Sequence, residues 1–156
     1  MANDMLVRLY ALPDSRPVYD KMAEQGIRIF RPLAPDKGKV FDFICKTFSP
    51  GWAHEIDVAF ASHPTKCFIA VDDHRIVGFA GYDCTAPDFF GPLGVDPEYR
   101  HRDIGSALLL RCLEALREEG YGYAIIGSVG PAEFYQQVCG AERIENSSPG
   151  IYAARP

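Results

Sequence analysis

The feature that most limits the fold is a long amphipathic helix set between two short strand candidates. From Ile104 to Glu119, residues Ile104, Ala107, Leu108, Cys112, Ala115 and Leu116 fall on one stripe at helical spacing. Arg111, Glu114, Arg117 and Glu118 form the polar side, and Gly120 is a fitting stop. Phe89 to Val95 before it and Tyr123 to Ile126 after it read as strands. Upstream, Phe68-Ile69-Ala70-Val71 and Ile76-Val77-Gly78-Phe79-Ala80 flank the polar stretch Asp72-Asp73-His74-Arg75, which predicts a β-hairpin. A hairpin followed by a strand-helix-strand unit implies a mixed sheet with helices on its faces, an α+β fold in αβα layers.

The remaining elements are shorter. Leu6 to Ala11 reads as a strand. Asp14 or Ser15 then caps a helix that runs to about Glu24 and stops at Gly26. Ile27 to Leu33 is a second strand without clean alternation. Pro35-Asp36 opens a helix through Val40, Phe41, Ile44 and Phe48, and Ser49-Pro50-Gly51 breaks it, leaving Trp52 in a loop setting. A further helix is expected through His54, Val58 and Ala61. A short helix over Ala132 to Val138 and a last strand over Ile151 to Ala154 complete the expectation.

The chain's 156 residues suit one domain with a true core. Its formal charge of -5 leaves no basic excess to neutralise phosphates, which argues against nucleic acid as a partner. A mildly acidic protein attracts cationic amines. The five cysteines, Cys45, Cys67, Cys84, Cys112 and Cys139, sit in or beside apolar segments without metal-ligand spacing. They read as buried reduced thiols, with no metal site expected and a cytoplasmic location. Cys84 and Cys139 are the thiols to weigh as nucleophiles, but no His base accompanies either. No apolar run approaches the roughly 20 residues of a membrane span. The opening residues Met1 to Met5 lack a basic region followed by an apolar stretch, so no signal peptide is expected.

Chemistry concentrates between Gly94 and Leu108. A strand ends at Val95, a helix begins near Ile104, and Arg100, His101 and Arg102 lie between. A helix N-terminus offers unpaired N–H groups and a positive dipole end. Gly105 lets a ligand approach the backbone, and the arginines add charge-assisted bonds. Together these parts suit a pyrophosphate. On physics alone the segment reads equally well as a solvated turn at a helix start.

The same residues resemble the pyrophosphate loop of the GNAT superfamily of acetyl-CoA-dependent N-acetyltransferases. The family pattern is Arg/Gln-x-x-Gly-x-Gly/Ala, commonly led in by Val-x-Pro-x-x. Val95, Pro97, Arg100 and Gly105 match it, and Leu108 matches the helix that follows. Gly130-Pro131-Ala132-Glu133-Phe134-Tyr135 is similar to the family's Phe-Tyr helix. Two positions depart: Asp103 stands at the pattern's central glycine, and Ser128 stands where many relatives carry Asn. Asp103 is expected to N-cap the helix from Ile104.

The resemblance implies a central mixed, mostly antiparallel sheet with a splayed strand pair and helices on both faces. It covers residues 27–156, with residues 1–26 as an added strand and helix. It implies acetyl-CoA as co-substrate, with the backbone of Leu93, Gly94 and Val95 along the pantetheine arm. Arg100, His101, Arg102, Asp103, Ile104, Gly105 and Ser106 would take the diphosphate, and Ser128 and Phe134 would lie against the cofactor. It implies transfer of acetyl to a primary amine by direct attack on the thioester. Tyr135 matches the family's proton donor. Asp88 leads the candidates for the base, with Asp83, Glu55 and Asp57 behind it. Trp52, Phe89 and Phe90 are candidates for the acceptor pocket or the core. The acceptor, a small molecule or a peptide amine, is not readable, and a homodimer is left open. The rival reading is a non-catalytic acyl-CoA sensor.

Overall fold

A computed structural model describes residues 2–156; Met1, at the head of the expected N-terminal strand and helix, lies outside the described residues. The elements are β1 (Met5–Arg8), α1 (Arg16–Glu24), β2 (Ile27–Phe30), α2 (Lys37–Thr47), α3 (Pro50–Ala59), β3 (Cys67–Asp72), β4 (Arg75–Tyr82), β5 (Phe89–Val95), α4 (Ile104–Glu118), β6 (Tyr123–Ile126), α5 (Ala132–Cys139) and β7 (Glu142–Arg143). They form a seven-stranded sheet in the order β2-β3-β4-β5-β6-β1-β7. Every neighbouring pair is antiparallel except β5 and β6.

Local chemistry explains most boundaries. Asp73 and His74 both take positive φ, 45° and 65°, as a tight hairpin between β3 and β4 demands. Ser49 Oγ accepts from the Trp52 N–H at 3.2 Å and so caps α3. Trp52 therefore lies in the first turn of a helix and not in a loop. The Arg16 N–H donates to Asp14 Oδ1 at 3.0 Å at the head of α1. Ser15 occupies the cap position, but its hydroxyl donates to Glu114 of α4 instead, at 3.1 Å.

Both faces of the sheet are covered. On one, α1, α4 and α5 bury Phe68, Ala70, Val77 and Phe90. On the other, α2 and α3 bury Cys67, Ile69 and Phe79. α4 is buried beyond its predicted stripe, with Leu109, Leu110 and Leu113 also inside. It is gripped on two sides, since it packs on β3, β4 and β5 below and against α1 beside them. Glu114, expected on the wet side, accepts from Ser15 and Tyr19 of that helix.

The expected last strand, Ile151 to Ala154, is absent: residues Gly150–Tyr152 form a 3-10 turn. The reason is topological. The place beside β6 is taken by β1, which pairs with β6 through Met5↔Ile126 and with β7 through Met5↔Arg143. Met5, Val7 and Leu9 belong to the same core as α4.

Candidate active site

The sheet opens at one place. β5 and β6 are in parallel register at Phe89↔Ile125 and Phe90↔Ile126 and share no further rung. From Gly91 to Val95 β5 keeps only β4 as a neighbour, with Ala80↔Leu93, Phe79↔Gly94 and Gly78↔Val95 in register. The Asp96 N–H donates to the Val77 carbonyl on β4 at 2.8 Å. Backbone direction alternates along a strand, so the N–H groups of Val95 and Leu93 turn the other way, into the opening. Gly94 instead turns its polar groups to β4. Its missing side chain makes room for Phe48, whose ring lies 2.6–2.9 Å from where a Cβ would stand. Phe48 packs with Phe43, Trp52 and Phe79 as an aromatic layer on the α3 face.

The opening leads into the turn before α4. The N–H groups of residues 100–103 donate to no backbone acceptor among the described residues. Those of Ile104, Gly105 and Ser106 open the helix and lack an intrahelical acceptor by position. Seven consecutive amides thus surround the positive end of a 15-residue helix. Arg100 and His101 are exposed, and Arg102 stacks over the Tyr99 ring at 4.6 Å. Phe134 of α5 lies 3.6 Å, and Val95 3.8 Å, from the Cβ that Gly105 lacks, so both border the same groove.

Asp103 does not cap α4. It sits at the cap position with φ 62° and ψ 19°, and its side chain makes no capping bond. Its carboxylate accepts from Lys21 Nζ of α1 at 2.6 Å. A left-handed residue cannot aim its side chain at the helix amides as an extended cap does. That φ also accounts for the glycine in the family pattern, because Asp is one of the few L-residues that tolerate the left-handed region.

The closed end of the opening carries the titratable groups. Asp88 precedes β5, and its carbonyl accepts from the Ile125 N–H at 3.1 Å. Its Oδ1 is buried without a partner among the described residues. Burial first, and then the neighbouring Asp83, push the Asp88 carboxyl up to about 6. Asp83 itself is held by Lys66, 2.8 Å away. Tyr135 packs against Phe90 and Phe134 with ring centroids at 6.2 and 5.0 Å, and burial raises its phenol well above the ordinary value. Ser128 is exposed, and its N–H donates to Asp4 Oδ1 at 2.8 Å. Glu55 accepts from the Thr85 hydroxyl at 2.6 Å, and Asp57 pairs with Lys37 on the outer side of α3. Cys84 and Cys139 are buried, and burial lifts their thiols to about 12 and about 11, which leaves them protonated and poor nucleophiles.

Comparison with known proteins agrees with this geometry. Residues 63–138 match the acetyltransferase (GNAT) domain. That stretch is GNAT-like in sequence. The splayed β5–β6 pair and the turn at 100–106 lie inside the matched stretch, and the whole mixed sheet is a GNAT-like fold. Among solved structures, it is similar to the glucosamine N-acetyltransferase region of a fungal multi-domain β-N-acetylglucosaminidase, at 14% identity and TM-score 0.75 over 91% of this chain and 19% of that one. It is similar to a GCN5-related N-acetyltransferase from Sphaerobacter thermophilus, at 18% identity and TM-score 0.70 over 91% of this chain and 48% of that one. N-acetylglutamate synthase from Neisseria gonorrhoeae, complexed with coenzyme A and N-acetyl-glutamate, matches at 18% identity and TM-score 0.53 over 71% of this chain and 27% of that one. At these identities the likeness is one of fold, and the chain spans less than half the length of each of these proteins. No curated protein matches the sequence.

Three residues with a place at this site carry no local sequence signal. Lys21 of α1 and Gln25 at its C-terminal cap reach the turn before α4, and Tyr152 of the C-terminal turn lies over Gly127 at the head of the opening. For Lys21 one clue existed: a glycine position filled by Asp implies a carboxylate that needs a partner. Among the described residues no three His, Cys, Asp or Glu side chains converge as a metal site, and no helix is long and apolar enough to cross a membrane.

Proposed function

We propose that this GNAT-like domain is an N-acetyltransferase that moves acetyl from acetyl-CoA to a primary amine by direct attack. The observation that carries the reading is the opening of β5 from β6 beyond Phe90, which runs straight into unpaired amides at the start of α4. A strand edge with free Leu93 and Val95 N–H groups suits the amides of a pantetheine arm. Seven amides, a helix dipole and the exposed Arg100 suit a diphosphate. Acetyl-CoA supplies an activated acyl group as a thioester.

The residues then divide the work. The Leu93 N–H, the free donor farther from the diphosphate turn, stabilises charge that develops on the thioester carbonyl oxygen. An amine attacks only when neutral, so Asp88 takes its proton, directly or through a water. A carboxyl poised at about 6 is largely ionised at neutral pH yet basic enough to hold that proton briefly. Tyr135, kept protonated by burial, donates to the departing sulfur. Arg100, His101 and the amides of residues 102–106 hold the diphosphate, while Phe134 and Ser128 line the cofactor side. The aromatic layer of Phe48 and Trp52 and the Glu55 carboxylate face the acceptor side.

The test is thiol release from acetyl-CoA with a panel of primary amines, from polyamines to peptide N-termini. Turnover with any member supports the reading. Tight CoA binding by calorimetry with no thiol release on the whole panel would replace it by a sensor. No rise in melting temperature at saturating CoA would remove both, since a ligand bound only by the folded state must stabilise it.

A further inference from the structure

α1 meets the turn before α4 at two points. Lys21 Nζ donates to Asp103 Oδ2 at 2.6 Å, and Gln25 Nε2 donates to the Arg102 carbonyl at 3.1 Å. Positions four apart share a helix face, so one side of α1 holds two adjacent residues of the turn. Asp103 supplies the only acidic side chain between Tyr99 and Ser106. It stands among seven amides that present donors outward, and its carboxylate is half exposed. Left unpaired, that carboxylate would lower the positive potential of the turn and repel any anion seated there.

We infer that Lys21 is a positioning residue for the acyl-donor loop: it pairs with the Asp103 carboxylate and holds it on the α1 side, which lets a loop with Asp in place of glycine accept a diphosphate. The inference rests on the reading of that loop as the acetyl-CoA cradle. Gln25 adds to the effect by fixing the carbonyl that precedes Asp103. α1 thus has a task at the site.

The experiment is CoA titration by calorimetry at low salt on the full chain, on Lys21→Met, on Asp103→Asn and on the double variant. Asn tolerates the left-handed conformation as Asp does, so the backbone of the turn is kept. Lys21→Met is expected to weaken CoA about tenfold, the scale of an unscreened charge a few ångströms from a diphosphate. Asp103→Asn is expected to bind at least as tightly as the parent. The double variant should bind like Asp103→Asn, because the lysine has no charge left to hold. The loss in Lys21→Met should shrink as salt is raised. Melting temperatures should stay within a few degrees, since an exposed pair contributes little to stability. A simple bracing role predicts the same loss in both backgrounds, and that result, or an unchanged Lys21→Met, overturns the inference. A parent that binds no CoA at all would instead remove the acetyl-CoA reading of the loop, and this inference with it.

Discussion

The hydroxyl of Tyr152 occupies the space that a Cβ on Gly127 would need, and the Phe89 ring comes within 3.0 Å of the same point. Gly127 is the first residue of the β6 side beyond the last rung shared with β5. The C-terminal turn therefore walls the opening on the face that carries α3. A methyl group there must displace Tyr152 or Phe89. Gly127→Ala should lose about 1–3 kcal/mol, the usual cost of overpacking. In a Tyr152→Ala background the same change should cost clearly less, because one of the two obstacles is gone. Urea denaturation of the four proteins gives the coupling, and equal costs in both backgrounds would place Tyr152 elsewhere.

Legibility of the chain followed the range of the forces involved. The β3–β4 hairpin, β5, α4 and β6 were readable because each has its own periodicity and ends at Gly, Pro or Asp. The two-residue β7 has no pattern of its own; it is a strand only because β1 offers an edge at Met5 and Leu6. Ile151 to Ala154, apolar enough for a strand, does not join the sheet beside β6, because β1 already holds that edge. The turn before α4 was expected from the resemblance of Val95, Pro97, Arg100 and Gly105 to the family pattern. The role of Asp103 was not, since its partner lies 82 residues away in α1. Local propensity favoured a cap, and the left-handed backbone overrode it.

Gly94 should be nearly as intolerant as Gly127, for a different reason. Phe48 fills the space above it and is itself packed against Phe43, Trp52 and Phe79. Gly94→Ala should cost about 1–3 kcal/mol by shifting that aromatic layer. Trp52 emission should move with it, because its ring centroid lies 5.5 Å from that of Phe48. Unchanged emission and stability would mean that the layer yields freely.

Asp88 should give the protein a distinctive pH response. Its folded carboxyl is raised from 3.8 to about 6, first by burial and then by Asp83. A group whose folded value is raised contributes stability that is full below the unfolded value and is lost as pH climbs through the folded value. Ionised Asp88 therefore weighs on the fold at neutral pH. Asp88→Asn should stabilise the protein at pH 7 by about 1 kcal/mol or less, once solvent screening is allowed for, and by little near pH 4. Thermal melts at both pH values check this. The same variant should slow amine acetylation by about 100-fold at pH 7, while the parent's rate should rise with pH through about 6. A rate that ignores Asp88→Asn would move the base to Glu55.

Tyr135 offers the cleanest separation of chemistry from binding. Its ring is wedged between Phe90 and Phe134, and Tyr135→Phe keeps that ring while removing only the hydroxyl. Packing is preserved, so stability should hold within about 1 kcal/mol. Burial keeps the phenol protonated throughout the physiological range, as a proton donor to sulfur requires. Tyr135→Phe should lower turnover by about 10²-fold with CoA affinity changed less than about twofold, the pattern of an interaction made only in the transition state. The deficit should be smaller for an acyl donor whose thiol is more acidic, such as an acetyl thioester of an aryl thiol, because a better leaving group needs less help. Steady-state rates with both donors and a CoA titration settle the matter. Equal rates for parent and variant would make Tyr135 a core residue.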